Sequence, residues 1–370
     1  MKILQLGKFY PVRGGVEKVM YDIMIGLSHR QVYCDMLCAS TEGFPAGEVV
    51  INDYAKVMVM HTVVKAASTM VAPSMIVELR KIAADYDIIH IHHPDPMAAL
   101  ALYLSGYKGK VVLHWHSDIV KQKKLMKLYK PLQDWLIKRA NYIVGTTPVY
   151  VQHSPYLQDC SQKVGYIPIG IASLQYDKTL VASIRDKYKD SFLIYSLGRL
   201  VEYKGFEHLV AASSYLPDNY KVVIAGKGPL KEQLERQVEA LSLQDKVLFL
   251  GFLSDEEAHA YFHACDLYVL SSTMKTEAFA IVQIEAMSCA KPVVTADIAG
   301  SGVSWVNQND VSGLICAPQN PKDLADKVRQ IAENEELYAR LSQGAKQRYE
   351  QYFNLEAMID KALEVYSRIL

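Results

Sequence analysis

The stretch KILQLGKFYPVRGGVEKVMYDIMIGL, residues 2–27, decides the fold. It opens on an apolar run, Lys2–Leu6, of the length of a buried strand. A loop follows from Gly7 to Gly15, and Val16, Val19, Met20, Ile23 and Leu27 then recur at three- and four-residue spacing. A continuous apolar run giving way to helical periodicity is the repeating unit of a parallel sheet with helices on both faces. The same alternation continues through Tyr33–Cys38, Lys56–His61, Ile88–His92, Lys110–Trp115 and Tyr142–Thr146, each bounded by Gly, Pro or polar residues.

The pattern then restarts. Phe192–Leu197, Lys221–Ala225, Val247–Leu250, Leu267–Leu270 and Pro292–Ala296 read as strands, with helices such as Pro229–Leu241 and Asp255–His263 between them. From Pro321 onward the chain reads as helix only. A length of 370 residues fits two domains, each able to bury its own core. The expected division is residues 1–170, residues 178–350, and a C-terminal helix over 351–370 packing back on the first domain. Two doubly wound domains facing a central cleft would bind ligands beyond the carboxyl ends of their strands.

Composition excludes several classes. With 40 Lys+Arg against 40 Asp+Glu and 22% charged residues, the chain is neither disordered nor a bulk-charge binder of nucleic acid. Met1–Gly7 is too short for a signal-peptide core, and no apolar run reaches the ~18 residues of a membrane span, so the expectation is a soluble cytoplasmic chain. The six cysteines form no Cys-x-x-Cys pair and sit mostly in apolar segments, as buried thiols do.

Four segments after strands carry candidate chemistry. Gly14-Gly15 lets backbone amides approach an anion at a helix start, or is simply a flexible turn. Ser196-Leu197-Gly198-Arg199, with Lys204 five residues on, pairs a forked donor with a mobile point charge, as a diphosphate requires; two solvated surface cations would look the same. Gly226-Lys227-Gly228-Pro229 fits close backbone approach to a nucleotide, and equally a plain turn into a helix. In Thr276–Met287, Glu277 and Glu285 stand eight residues apart, slightly over two helical turns. Free amides near Ala280, Ile281 and Val282 would meet a phosphate at the helix start, and an acid beside it would accept from sugar hydroxyls.

On these residues the chain resembles the family 4 retaining glycosyltransferases of the GT-B fold, over nearly its whole length. Glu277…Glu285 matches that family's Glu-x7-Glu motif, Gly198-Arg199 with Lys204 its phosphate-binding pair, and Gly14-Gly15 its N-terminal glycine loop. The resemblance implies a donor site of Gly14, Gly15, Gly198, Arg199, Lys204, Gly226, Lys227, Glu277, Ala278, Phe279, Ala280, Ile281, Val282 and Glu285. Within it Glu277 contacts the donor sugar, Glu285 the ribose, and Arg199 and Lys204 the diphosphate, with Ile281 and Val282 amides assisting. The family usually has Gly where Ala280 stands. His116 matches the histidine lining the donor-sugar pocket, which makes Glu277, His116, Arg199 and Lys204 the catalytic set. The run His116–Lys123 resembles bacterial O-antigen and capsule enzymes, many of them mannosyltransferases. It alone favours GDP-mannose as donor, with UDP-hexoses open.

Other features are weighed against this. His90 and His92 fall on one face of a strand, without a carboxylate or Cys to complete a metal set, so they read as a core histidine pair and no metal is expected. His92, His93, Asp95 and Asp118 are expected on the acceptor side. Asp85-Tyr86-Asp87 precedes its strand rather than following it, the wrong pole for a cation-holding Asp-x-Asp. Residues 119–139 hold seven basic side chains against Asp134, +6 inside a neutral chain, interleaved with apolar residues. That segment is either an amphipathic helix with a solvated face or a peripheral contact with the anionic inner-membrane surface, suited to a lipid-linked saccharide acceptor. The expected activity is metal-independent retaining hexosyl transfer without a cofactor in surface-polysaccharide synthesis. A sugar-nucleotide epimerase and a non-catalytic nucleotide-binding module are the rivals.

Overall fold

The computed structural model describes residues 1–41, 43–66, 69–119 and 123–370, with backbone alone over 123–126. It divides into two compact units, residues 1–170 with 355–370, and residues 171–354.

In the first unit the strands are β1 (Lys2–Tyr10), β2 (Tyr33–Ser40), β3 (Gly47–Asn52), β4 (Ala55–Met60), β5 (Val64–Ala66), β6 (Thr69–Val71), β7 (Ile88–His93), β8 (Lys110–Trp115), β9 (Tyr142–Gly145) and β10 (Val164–Tyr166). The main sheet runs β10-β9-β8-β7-β1-β2-β4-β3, parallel throughout except for the β3–β4 hairpin, and β5–β6 form a separate antiparallel ribbon. Strand order reverses between β1 and β7, which makes the loops beyond those two strands the place where a doubly wound sheet opens for a ligand. β1 runs four residues further than the apolar run suggests. Its register shifts between Leu6 and Phe9, where Gly7 and Lys8 both take positive φ and the Lys8 amide turns to Asp95.

The helix Leu355–Ile369 belongs to this unit. Met358, Ile359, Ala362, Val365 and Tyr366 are its buried residues, a stripe of helical period. It lies against the helix Gly15–His29 at Gly26, where any Cβ would overlap the Ile359 side chain, and Arg30 pairs with Glu356 and Asp360.

The second unit carries β11 (Phe192–Leu197), β12 (Tyr220–Ala225), β13 (Val247–Gly251), β14 (Leu267–Leu270), β15 (Val293–Ala296) and β16 (Gly313–Cys316), in the order β13-β12-β11-β14-β15-β16. All neighbours are parallel. Renumbered within the sheet this is 3-2-1-4-5-6, the order of dinucleotide-binding sheets, and its switch point falls between β11 and β14. Both candidate cations and both candidate glutamates follow those two strands. Leu267–Leu270 is buried throughout, the continuous apolar run expected of a central parallel strand covered on both faces.

Candidate functional site

Beyond β11 the chain passes through Gly198 and Arg199 into the short turn Glu202–Lys204, which ends at Gly205 with φ +62°. A Cβ on Gly205 would overlap the Ser271 carbonyl oxygen, so the loops after β11 and β14 press together at a position only glycine fills. Ser271 Oγ donates to the Lys204 carbonyl (2.9 Å) and the Thr273 amide to that of Tyr203 (2.9 Å). This seam brings Lys204 Nζ to 2.5 Å from Glu277 Oε2, with the two side chains 11% and 10% exposed. Ser272 Oγ donates to the same carboxylate oxygen at 2.8 Å. Behind it, Ser301 Oγ donates to the Glu277 carbonyl and the Gly302 amide to that of Ala278 (3.0 Å), so the loop after β15 fixes the segment.

The helix Ile281–Ser288 starts directly afterwards. Its N-cap is Ala280, and no side chain caps it, so the first amides at Ile281 and Val282 have neither an intrahelical nor a side-chain acceptor. An uncapped helix start is a place where an anion can bind. Ala280 itself sits at φ +61°, ψ +81°. An L-residue there is strained, which accounts physically for the glycine usual in the resembled family. Glu285, one turn into the helix, is half-buried; desolvation, with repulsion from Asp255, pushes its carboxyl up to about 7.

Arg199 is exposed, its Nη2 3.0 Å from the Tyr203 hydroxyl. The Tyr203 ring lies 6.0 Å from the Arg199 guanidinium and 5.5 Å from Lys204 Nζ, so one aromatic side chain flanks both cations. Gly226 is explained by packing: with φ +136°, a Cβ would overlap the Gly198 carbonyl oxygen. That glycine lets the loops after β11 and β12 touch. The exposed Lys227 stands 5.0 Å from the Phe252 ring.

In the first unit, Gly14 and Gly15 begin the helix Gly15–His29, and Gly14 is its N-cap in an extended conformation. The helix's own Glu17 is buried and reaches back, its Oε2 2.6 Å from where a Gly14 Cβ would stand, so a carboxylate already sits at this positive end. His116 follows β8. Its Nε2 is 2.9 Å from His92 Nδ1, and His92 Nε2 is 2.8 Å from Gln5 Oε1. His90, His92, His114 and His116 stack on one face of β7 and β8, with ring centroids 4.0–5.2 Å apart. Burial depresses all of them: His114 falls to about 3 and the others drop well below the usual imidazole range.

The residues expected on the acceptor side are largely turned inward. His92 is sealed with both ring nitrogens engaged. His93 is also buried, stacked on Trp115 at 3.8 Å with Nε2 3.3 Å from Gln133 Oε1. Asp95 caps the helix Pro96–Ser105 through the Met97 and Ala98 amides (both 3.1 Å) and takes the Lys8 amide at 2.5 Å. Asp118, half-buried, accepts from Trp115 Nε1 (2.9 Å) and Ser154 Oγ (2.8 Å). A cavity of about 640 Å³ lined by Tyr142, Tyr166, Lys361 and Arg368 lies at the β9–β10 edge, away from the switch point.

Known proteins match both units. The family described as glycosyl transferases group 1 matches residues 177–348, and glycosyltransferase family 4 matches residues 13–172. An Escherichia coli protein named O-antigen chain mannosyltransferase C is 33% identical over 100% of this chain and 99% of its own. The chain belongs to the family 4 glycosyltransferases. A D-rhamnosyltransferase of Pseudomonas aeruginosa is 29% identical over 95% of this glycosyltransferase and 92% of its own length. Anabaena HepE, solved in complex with UDP, shares the fold over 100% of both chains, with a TM-score of 0.78 at 22% identity. The two Rossmann-like units are thus those of a GT-B glycosyltransferase.

Sequence reasoning missed the side chains that hold the glycosyltransferase motifs in place: Ser272 and Ser301 on Glu277, Tyr203 between the cations, and Gln5 and Tyr366 beneath the histidines. Single serines and a lone glutamine carry no spacing signal. Of the basic segment 119–139, residues 120–122 lie outside the described residues, as do the side chains of 123–126; the remainder forms the helix Lys123–Arg139, on which Leu128 is 81% exposed. Among the described residues no helix is long and apolar enough to cross a membrane.

Proposed function

We propose that this glycosyltransferase moves a hexose, mannose, from GDP-mannose to a saccharide acceptor on a lipid carrier, with retention, in synthesis of a bacterial surface polysaccharide of the O-antigen class. The full-length likeness to a protein named O-antigen chain mannosyltransferase supports the class of product. The observation that carries the chemistry is the Lys204–Glu277 pair beside an uncapped helix start at the switch point of the second sheet. Lys204, Arg199 and the Ile281 and Val282 amides hold the leaving diphosphate, neutralising its charge without a metal. Gly198, Gly226 and Lys227 border the nucleotide, and Glu285 accepts from the ribose hydroxyls. The Ala278–Ala280 turn leads the chain to the phosphate.

Once Lys204 turns to the diphosphate, Glu277 is released to orient the sugar and stabilise the positive charge that develops on it. The acceptor hydroxyl attacks from the face the diphosphate leaves and gives its proton to the departing phosphate oxygen, so neither glutamate acts as base. In the first unit His116 is the proposed sugar contact, with Gly14 and Gly15 on the donor side and Asp118 toward the acceptor; His92 and His93 act from beneath, being buried. The exposed Leu128 among Lys127, Lys130 and Lys138 supports peripheral contact of the helix Lys123–Arg139 with an anionic lipid surface on the cytoplasmic side.

A UDP-hexose donor is the second reading, favoured by the UDP held by the similarly folded HepE. Incubation of the enzyme with labelled GDP-mannose or UDP-hexoses, each with a membrane extract, separates the readings. Label entering lipid-linked saccharide only from GDP-mannose supports the first. Free epimerised sugar, or binding without any transfer, removes both.

A further inference from the structure

Gln5 lies on β1 opposite His90 of β7, and the two ends of its amide face different partners. Its nitrogen is 3.2 Å from the Tyr366 hydroxyl and 3.6 Å from Cys34 Sγ, and its oxygen is 2.8 Å from His92 Nε2. The amide nitrogen donates to the Tyr366 hydroxyl oxygen, which also stands 2.6 Å from His90 Nδ1. The amide oxygen is the end turned to His92. An amide oxygen only accepts, so the proton of His92 is on Nε2. Burial keeps the ring neutral, with one proton, and its Nδ1 is therefore bare. His116 Nε2, 2.9 Å away, has to donate to it, and His116 Nδ1 is left as a lone pair. That last nitrogen has no protein partner among the described residues. Nor is it among the sealed ring nitrogens without one, which are His90 Nε2, His93 Nδ1 and both of His114.

We propose that Gln5 is a positioning residue that acts through His92 to hold His116 in its Nε2–H tautomer, so that Nδ1 is presented as an acceptor to a hydroxyl of the donor sugar. This rests on the proposed reading of His116 as the sugar contact. The alternative use of the cluster, a metal held by His90, His92 and His114, whose nitrogens lie within 4.8 Å of one another, requires His92 to give up a hydrogen bond at one of its two engaged nitrogens. The chain of hydrogen bonds accounts for those nitrogens as they stand.

Gln5→Met keeps the shape and removes the acceptor. A buried N–H at His92 Nε2 would then have no partner, which is costly enough to send the proton to Nδ1. His92 would donate to His116, and the His116 proton would move to Nδ1, changing an acceptor into a donor. The test is ring-nitrogen NMR of the full chain labelled with 15N-histidine, with the His116 signals assigned from His116→Gln. The expected result is Nε2–H in the native enzyme and predominantly Nδ1–H in Gln5→Met, a change of about tenfold or more in tautomer ratio. His92→Leu, which removes the acceptor next to His116, must give the same switch if Gln5→Met does not fold. An unchanged His116 tautomer in either variant overturns the inference.

A second arm uses GDP-mannose and UDP-glucose, each fluorinated at one sugar hydroxyl at a time, since fluorine accepts but cannot donate. One fluorinated donor should lose about tenfold or more in kcat/KM with the native enzyme, and that discrimination should vanish in Gln5→Met. A tautomer switch with a flat fluorine pattern overturns the sugar-facing half alone, and with it the proposed place of His116.

Discussion

Replacing Glu277 with Gln should make the enzyme hold a nucleoside diphosphate more tightly while it loses sugar transfer. In the resting chain the carboxylate lies 2.5 Å from the Lys204 ammonium, with both side chains about nine-tenths buried. A diphosphate therefore approaches a cation that is already neutralised. A phosphate oxygen at hydrogen-bonding distance, ~2.8 Å from Nζ on its open side, lies about 5 Å from the carboxylate. At an effective dielectric of roughly 20–40, two like charges at that separation repel by about 2–3 kcal/mol. Gln keeps the shape and an oxygen for Ser272 without the charge, so GDP or UDP should bind ~2 kcal/mol tighter, roughly thirty-fold. The free variant carries an unpaired buried ammonium and should be less stable by about 3–5 kcal/mol, which the nucleotide partly restores. Its thermal shift on adding nucleotide should thus exceed that of the native enzyme. Lys204→Met should do the opposite, weakening both nucleotides. Titration calorimetry reads the affinities and release of labelled sugar reads turnover. Equal or weaker nucleotide binding by Glu277→Gln would refute the reasoning, because the carboxylate would then not be competing with phosphate for Lys204.

Acid should destabilise the first unit steeply. His90, His92, His93, His114 and His116 stay neutral when folded, with His93 and His114 held down to about 3, but take protons below ~6.5 when unfolded, each worth ~1.4 kcal/mol per pH unit. In the second unit Glu285 works in the other sense: raised to about 7, it favours the folded state below that pH and loses this contribution as pH rises through it. Urea midpoints should show a net uptake on unfolding that grows from about two protons near pH 6.5 to about four at pH 5, and an uptake below two at pH 5 would contradict the buried imidazole stack. Ala280→Gly removes ~1–2 kcal/mol of left-handed strain against ~0.4–1 kcal/mol of added chain entropy, so the melting temperature should rise by about 1–2 °C; a fall would mean the methyl group is packed rather than strained. Gly226→Ala should cost several kcal/mol, on the order of 3 or more, because its methyl meets the backbone carbonyl of Gly198; soluble, native-like melting would contradict that contact.

Much of the sheet framework was legible because a central parallel strand is buried on both faces and leaves an unbroken apolar run. Phe192–Leu197, Leu267–Leu270 and Lys110–Trp115 are strands with those very ends. The strands that escaped notice lie where that argument weakens. β3 pairs antiparallel at the sheet edge with half-exposed residues, β10 is a three-residue edge strand, and β16 is a four-residue edge strand. Beyond Leu6, Gly7-Lys8-Phe9-Tyr10 looked like loop because the bulge that lets β1 continue is fixed by Asp95, on an element that comes much later in the chain.

The candidate site shows the same division. Spacing marked Glu277, Glu285, Arg199 and Lys204 as candidate groups and the family resemblance implied their separate tasks, but neither carried a sign that two of them are partners. Physics requires some such arrangement. A lysine nine-tenths buried beside an uncapped helix start places two sources of positive charge together, and without ligand that charge needs an anion close by. Glu277 meets the need at rest, so the carboxylate proposed to stabilise the sugar is also the stand-in for the diphosphate. On the proposed reading, binding and catalysis are coupled through one exchange of partners: the donor's phosphate would take Lys204, and only by that exchange would Glu277 be set free to face the sugar. A substrate lacking the diphosphate would leave the pair closed, which gives the site a means of refusing a free sugar that no contact with the sugar itself could supply.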